Sequence, residues 1–188
     1  MANDLIRLAA ATACAFVALL FARAALHKTG DAARFEGVLA DYGLVPEVAL
    51  RAAARSVPAL ELACAAALAF GPTRAFGAWA GVALLLGYAG AMGLNLMRGR
   101  TEIDCGCGGA PEPLSWALVA RNLLLSAALA PAGLGAAAPL AWTETLTAWA
   151  VGLLVLLCWG GVEQLQANAG RMREDARRLT QSAFGGAS

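Results

Sequence analysis

Two sulfurs separated by one glycine are the most chemically capable feature of this chain. Cys105 and Cys107 stand in Ile103-Asp104-Cys105-Gly106-Cys107-Gly108-Gly109, a polar, glycine-rich stretch in an otherwise apolar protein. Thiolates attack disulfides, and small neighbours leave both sulfurs open to an incoming thiolate. A disulfide between residues two apart strains against the preferred dihedral and Cα spacing. Strained, exposed disulfides exchange readily, so the pair suits electron transfer better than stapling a fold. Arg98, Arg100 and the start of the following helix favour thiolate, whereas Asp104 opposes it. Spacing alone does not decide which cysteine attacks. Two other readings stand beside redox exchange. A metal site needs more donors than two thiolates, and His27 with Asp104 is the available supplement; the pair can also be inert in a tight turn.

The other three cysteines, Cys14, Cys64 and Cys158, lie in apolar stretches, where free Cys behaves as a small hydrophobe. Several charged residues accompany the sulfurs at membrane depth. Glu61 and Arg121 fall well inside apolar segments, and such charges normally face the interior of a bundle with a partner. Their segments run parallel in an alternating bundle, so the expected pair is Glu61 with Arg121. Arg23 and His27 share a helical face pointing toward the cysteine end, where His27 could assist thiol deprotonation. Lys28 adds a cation beside it.

The elements that position these groups follow from composition. Of 188 residues, 60% are hydrophobic and 14% charged, the formal net charge is +1, and mean hydropathy is +0.63. That balance excludes a basic nucleic-acid binder. With one His, 5 Cys and few β-branched residues, it also disfavours a zinc protein, a disulfide-dense secreted domain and a sheet protein. Five stretches reach the roughly 20 apolar residues that span a bilayer: about 5–27, 49–70, 75–97, 114–131 and 145–164. The expected fold is an all-α integral membrane protein, with four core transmembrane helices, a fifth, and an amphipathic interfacial helix between the first and second.

That interfacial helix is expected over about 31–42. Phe35, Val38, Leu39 and Tyr42 recur at helical spacing, Asp31 caps the start and Gly43 ends it in the left-handed conformation. Gly77 and Gly81 form one GxxxG, read as ordinary packing. Trp116, Trp142, Trp149 and Trp159 fall near segment ends, where aromatic belts lie. Ala22-Arg23-Ala24 imitates a signal-cleavage site, but Asp4 beside Arg7 spoils the positive n-region, so the first helix is expected to be retained. Residues 1–165 are read as the membrane domain and 166–188 as a polar tail without chemistry.

Orientation is contested. Lys28, Arg34, Arg51, Arg55, Arg98, Arg100 and the tail arginines share the face of the first connection, against Arg7 and Arg74 on the other. The positive-inside rule therefore calls the cysteine face cytoplasmic. Persistent disulfide chemistry belongs outside the cytoplasm, and the expectation follows the chemistry.

A family resemblance rests on specific residues. Ala25-Leu26-His27-Lys28 closes the first helix, and Tyr42-Gly43-Leu44-Val45-Pro46 precedes the second, which carries Pro58 and Glu61. Asn95-Leu96, Arg98-Gly99-Arg100, the Asp104–Gly109 run and Arg121-Asn122 complete it. Over these residues the chain resembles the methylamine utilisation protein MauE family, a branch of the DoxX-like membrane proteins. Gly108 stands where many members carry an aromatic. The resemblance implies a multi-pass protein of the bacterial inner membrane, with Cys105 and Cys107 on the periplasmic face. It further implies thiol–disulfide exchange with a thioredoxin-like, MauD-type partner, in maturing a disulfide-rich periplasmic client, the methylamine dehydrogenase small subunit. The alternative role is a non-catalytic membrane scaffold for that partner. The layout is also similar to vitamin K epoxide reductase and DsbB thiol oxidases. Those use Cys-x-x-Cys pairs and a quinone, so quinone use stays open here and no other cofactor is expected.

Overall fold

The computed structural model describes residues 2–107, 112–136 and 140–185. Six α-helices follow in order: α1 (Ala2–Gly30), α2 (Ala32–Tyr42), α3 (Leu50–Ala69), α4 (Arg74–Met97), α5 (Trp116–Gly133) and α6 (Trp142–Gly185). Single 3-10 turns, Glu47–Ala49 and Gly71–Thr73, lead into α3 and α4. Five spans are long and apolar enough to cross a membrane: Asn3–Gly30, Glu47–Ala69, Gly71–Met97, Trp116–Gly133 and Trp142–Leu165. The all-α membrane bundle expected from composition is therefore the fold, and each span falls close to its expected position. The sixth helix continues through Gly185, so the segment expected as a tail is helical as far as that residue.

The chain divides into two compact units, Met1–Leu156 and Leu157–Ser188. In the first, α4 packs along α5, α1 along α3 and α5, and α3 along α4. Close approach depends on small residues. A Cβ at Gly77 would stand 2.7 Å from the backbone nitrogen of Leu68, and one at Gly81 would stand 2.8 Å from Leu129 Cδ2. The GxxxG of α4 thus seats α3 on one glycine and a leucine of α5 on the other. In the second unit, Trp159 Nε1 donates to Glu163 Oε1 at 2.8 Å, one turn further along the helix.

The short α2 is built by its ends. Asp31 Oδ1 accepts from the backbone N–H of Arg34 at 3.1 Å, a cap worth about 1 kcal/mol. Gly43, at φ 62°, closes the last turn by donating its N–H to the carbonyl of Ala40 at 3.0 Å. Between these caps, Phe35, Val38 and Tyr42 are buried while the intervening polar residues stay outside. This helix lies over the connection between α4 and α5, which carries the cysteines.

Candidate functional site

Residues 101–107 and 112–115 pair as the two arms of a small antiparallel hairpin. Leu114 N–H donates to the carbonyls of Thr101 at 3.0 Å and Ile103 at 3.1 Å, and Cys105 N–H donates to Glu112 at 2.9 Å. Asp104 pairs with Pro113 across it. The carboxylate of Asp104 then organises the bend: Oδ1 accepts from the N–H groups of Gly106 at 3.2 Å and Glu112 at 3.3 Å. Ser115 caps α5 by accepting from Leu118 N–H at 3.4 Å.

The interfacial helix is fastened to this hairpin at three points. Arg34 Nη2 meets Asp104 Oδ2 at 2.8 Å. Tyr42 donates its hydroxyl to the carbonyl of Cys105 at 3.2 Å. Gly106 sits at φ 67°, and a Cβ there would lie 2.9 Å from Val38 Cγ1. Only glycine satisfies both the left-handed backbone and the approach of α2. The middle residue of the Cys-Gly-Cys run is therefore set by packing as well as by the turn. Beneath it, Val38, Tyr42, Met92, Ile103, Leu114 and Leu118 form a buried apolar cluster, with Cys105 packed at its margin.

Both cysteines are free thiols and both are half-buried. Cys107 N–H donates to Cys105 Sγ at 3.3 Å, and the Cys107 thiol lies 3.7 Å from the Cys105 carbonyl. The two sulfurs are electrostatically unequal. Hydrogen bonding to Cys105 holds the Cys107 thiol below its ordinary value; burial opposes this, and the charges of Arg121 and Lys28 reinforce it. Hydrogen bonding to Cys107, together with burial and the neighbouring sulfur's charge, pushes Cys105 up. Burial pushes the Tyr42 phenol up as well, aided by the two sulfurs and Asp104, so it remains a neutral donor. The arrangement favours ionisation of Cys107 over that of Cys105.

Behind the hairpin lies a buried charged group that the sequence reading paired differently. Glu61 is 1% exposed and Lys28 5% exposed. Lys28 Nζ donates to Glu61 Oε1, and Tyr88 donates its hydroxyl to the same oxygen at 2.7 Å. The ammonium also faces the Phe35 ring at 5.2 Å and the Tyr88 ring at 5.1 Å. Glu61 is thus bound from α1 and α4. The expected Glu61–Arg121 pair does not form: Glu61 is taken by Lys28 and Tyr88, and the charge of Arg121 bears instead on Cys107. The register of α5 places Arg121 only two turns beyond the Ser115 cap, close beneath the hairpin.

His27 is exposed at the end of α1, whereas its neighbour Lys28 turns inward, and it is the Lys28 charge that bears on Cys107. Arg23 is half-buried and lies over a turn further from the hairpin along α1. Among the described residues, no three His, Cys, Asp or Glu side chains are grouped as metal ligands. Tyr88 was not foreseen; its signal is a lone phenol inside a span without charged residues beyond its ends, where a buried hydroxyl requires a partner. Asn95, fully buried, was quoted only for resemblance. It accepts from Arg100 Nη1 at 3.2 Å, and that guanidinium also reaches the Tyr42 carbonyl at 3.4 Å.

These features define a multi-pass helical membrane protein with a dithiol hairpin covered by an amphipathic helix. The family model described as methylamine utilisation protein MauE matches residues 6–137. The chain belongs to that family. It is 44% identical over 148 residues to methylamine utilization protein MauE of Paracoccus denitrificans, covering 77% of this chain and 80% of that one. The Paracoccus versutus protein of the same name is 40% identical over 155 residues, covering 80% and 83%. That of Methylorubrum extorquens is 39% identical over 151 residues, covering 78% and 81%. No solved structure matches the chain.

Proposed function

We propose that this methylamine utilisation membrane protein exchanges disulfides through Cys105 and Cys107 with a thioredoxin-like partner, in the maturation of a disulfide-rich periplasmic client. The observation that carries the reading is the asymmetry of the two sulfurs. Cys107 is biased to thiolate by the charges of Arg121 and Lys28, while Cys105 is held protonated two residues away.

In one direction, the Cys107 thiolate attacks a partner disulfide. A bond forms between Cys107 and one partner sulfur, the partner's own S–S bond breaks, and its other sulfur leaves as thiolate. Cys105 then loses its proton and attacks Cys107, releasing the second partner sulfur. Two electrons pass from this pair to the partner, with one proton from Cys105 and a second from solvent that replaces the one Cys107 lost on ionising, and the reverse sequence returns them. Strain in the resulting Cys-x-Cys disulfide favours that reverse sequence, in which the pair oxidises its partner. No step passes through a quinone.

The reading places the protein in the bacterial inner membrane with the hairpin on the periplasmic side. Four of the basic residues of that face have partners within the fold. Lys28 is buried on Glu61, Arg34 pairs with Asp104, Arg51 lies 3.7 Å from Glu36, and Arg100 binds Asn95 and the Tyr42 carbonyl. The periplasmic assignment rests on the thiol chemistry, against the arginine count.

Cells carrying C105S/C107S should fail to mature the client, and C105S alone should accumulate a mixed disulfide between Cys107 and the partner. Normal maturation in the double variant, with partner binding intact, would leave a scaffold role and remove the exchange chemistry. Labelling the pair in intact cells with an impermeant maleimide should succeed if the hairpin is periplasmic.

A further inference from the structure

The Lys28–Glu61–Tyr88 group is costly to bury, and the exchange chemistry described so far leaves Glu61 without a role. Its carboxylate is used unevenly. Oε1 accepts from both Lys28 and Tyr88, whereas Oε2 is buried with no hydrogen-bond partner. A buried acceptor left bare is expensive.

The cation beside it faces the cysteines. Lys28 Nζ lies against the Phe35 ring, and the Phe35 ring edge reaches to 3.6 Å from where a Cβ of Gly106 would be. One aromatic ring therefore separates the ammonium from the middle of the Cys-Gly-Cys run. Lys28 is paired with the Glu61 carboxylate, and its charge also bears on the Cys107 sulfur.

We infer that Glu61 is a positioning residue for the thiol chemistry: it fixes the Lys28 ammonium beneath the hairpin, and its carboxylate competes with the Cys107 thiolate for the charge of that cation. This deepens the exchange reading and rests on it. No electron moves until the thiolate meets a disulfide.

Other groups bear on the same sulfur and must be held constant in any test. From α2 they are Tyr42 and, through Asp104, Arg34; from α5, Arg121; from the hairpin, Asp104 and Cys105. Tyr88 of α4 and Cys64 of α3 border Glu61.

The test is the pH profile of maleimide alkylation of the reduced, full-length protein in nanodiscs, with mass spectrometry assigning the modified cysteine. Glu61→Gln should shift the Cys107 profile about one pH unit downward, a tenfold gain in thiolate on its acidic limb. Lys28→Met should shift it upward by a similar amount, K28M/E61Q should fall between, and Lys28→Arg should stay near wild type. A folded E61Q protein with a profile superimposable on wild type would overturn the inference. So would the same direction of shift in E61Q and K28M, the outcome of a packing defect. Should K28M fail to fold, E61Q with K28R decides. The readout needs no client, so a client matured normally by C105S/C107S would end the exchange reading without altering this profile.

Discussion

Lys28 of α1 and Glu61 of α3, 33 residues apart in sequence, form an ion pair sealed inside the bundle, with the Tyr88 hydroxyl on the same carboxylate oxygen. Three transmembrane helices converge on one atom. A pair of this kind is a poor stabiliser by itself, because desolvation offsets the attraction, yet it is expensive to break. Removing one partner leaves an uncompensated charge in a low-dielectric setting. Lys28→Ala or Glu61→Ala should therefore cost about 3–5 kcal/mol. Replacing both by Met and Leu should cost much less. Thermal unfolding in one detergent, compared across the four proteins, would show whether the double change is less damaging than either single one.

The hairpin makes a separate prediction at Gly106. A side chain there meets Val38 Cγ1 at 2.9 Å and must also take φ 67°. The left-handed backbone alone costs a non-glycine residue about 1–2 kcal/mol. Gly106→Ala should thus lift α2 from the hairpin. Hydrogen exchange in Ala32–Tyr42 should become faster, while α3 and α4 keep their protection.

Arg34 and Asp104 tie the same helix down from the water side, where the two side chains are 47% and 23% exposed. An ion pair this accessible contributes at most about 1 kcal/mol and is screened by salt. Arg34→Ala should leave the melting temperature almost unchanged. It should raise the alkylation rate of the cysteine pair about two- to fivefold at low ionic strength, since 0.5–1 kcal/mol corresponds to that range. The difference from wild type should shrink in 0.5 M salt, which repeating the rate measurement would reveal.

How far these relationships can be read from sequence depends on their range. The spans are set by composition over some twenty residues, so they emerge directly, and α2 follows from the local chemistry of Asp31 and Gly43. The Cys-Gly-Cys run is equally local. The partner of Glu61 is another matter. Lys28, Arg121 and Arg23 are all basic residues at membrane depth, and helical periodicity does not rank them. The choice depends on how α1 and α5 are rotated against α3, which close contacts such as Gly77 on Leu68 and Gly81 on Leu129 help to set. His27 and Lys28 differ by a single residue, about 100° around the helix, and that rotation turns one outward and the other inward. Tyr88 escaped notice because one phenol barely alters the hydropathy of a long apolar span.

The inequality of the two sulfurs leads to the most direct prediction. Cys107 is held below the ordinary thiol value, chiefly by hydrogen bonding to Cys105 with help from Arg121 and Lys28, while Cys105 is pushed above it. An unperturbed thiol ionises near pH 8.5, roughly. As pH rises, Cys107 should therefore become reactive first, on the acidic side of that value, and Cys105 only well above it. Alkylation of the reduced protein at neutral pH should yield a single adduct, which mass spectrometry should assign to Cys107. Arg121→Gln removes one of the cations that favours this thiolate, so its profile should shift toward higher pH and its rate at pH 7 should fall. Equal labelling of both cysteines at neutral pH would contradict the assignment of Cys107 as the attacking sulfur. Preferential labelling of Cys105 would reverse the roles of the two.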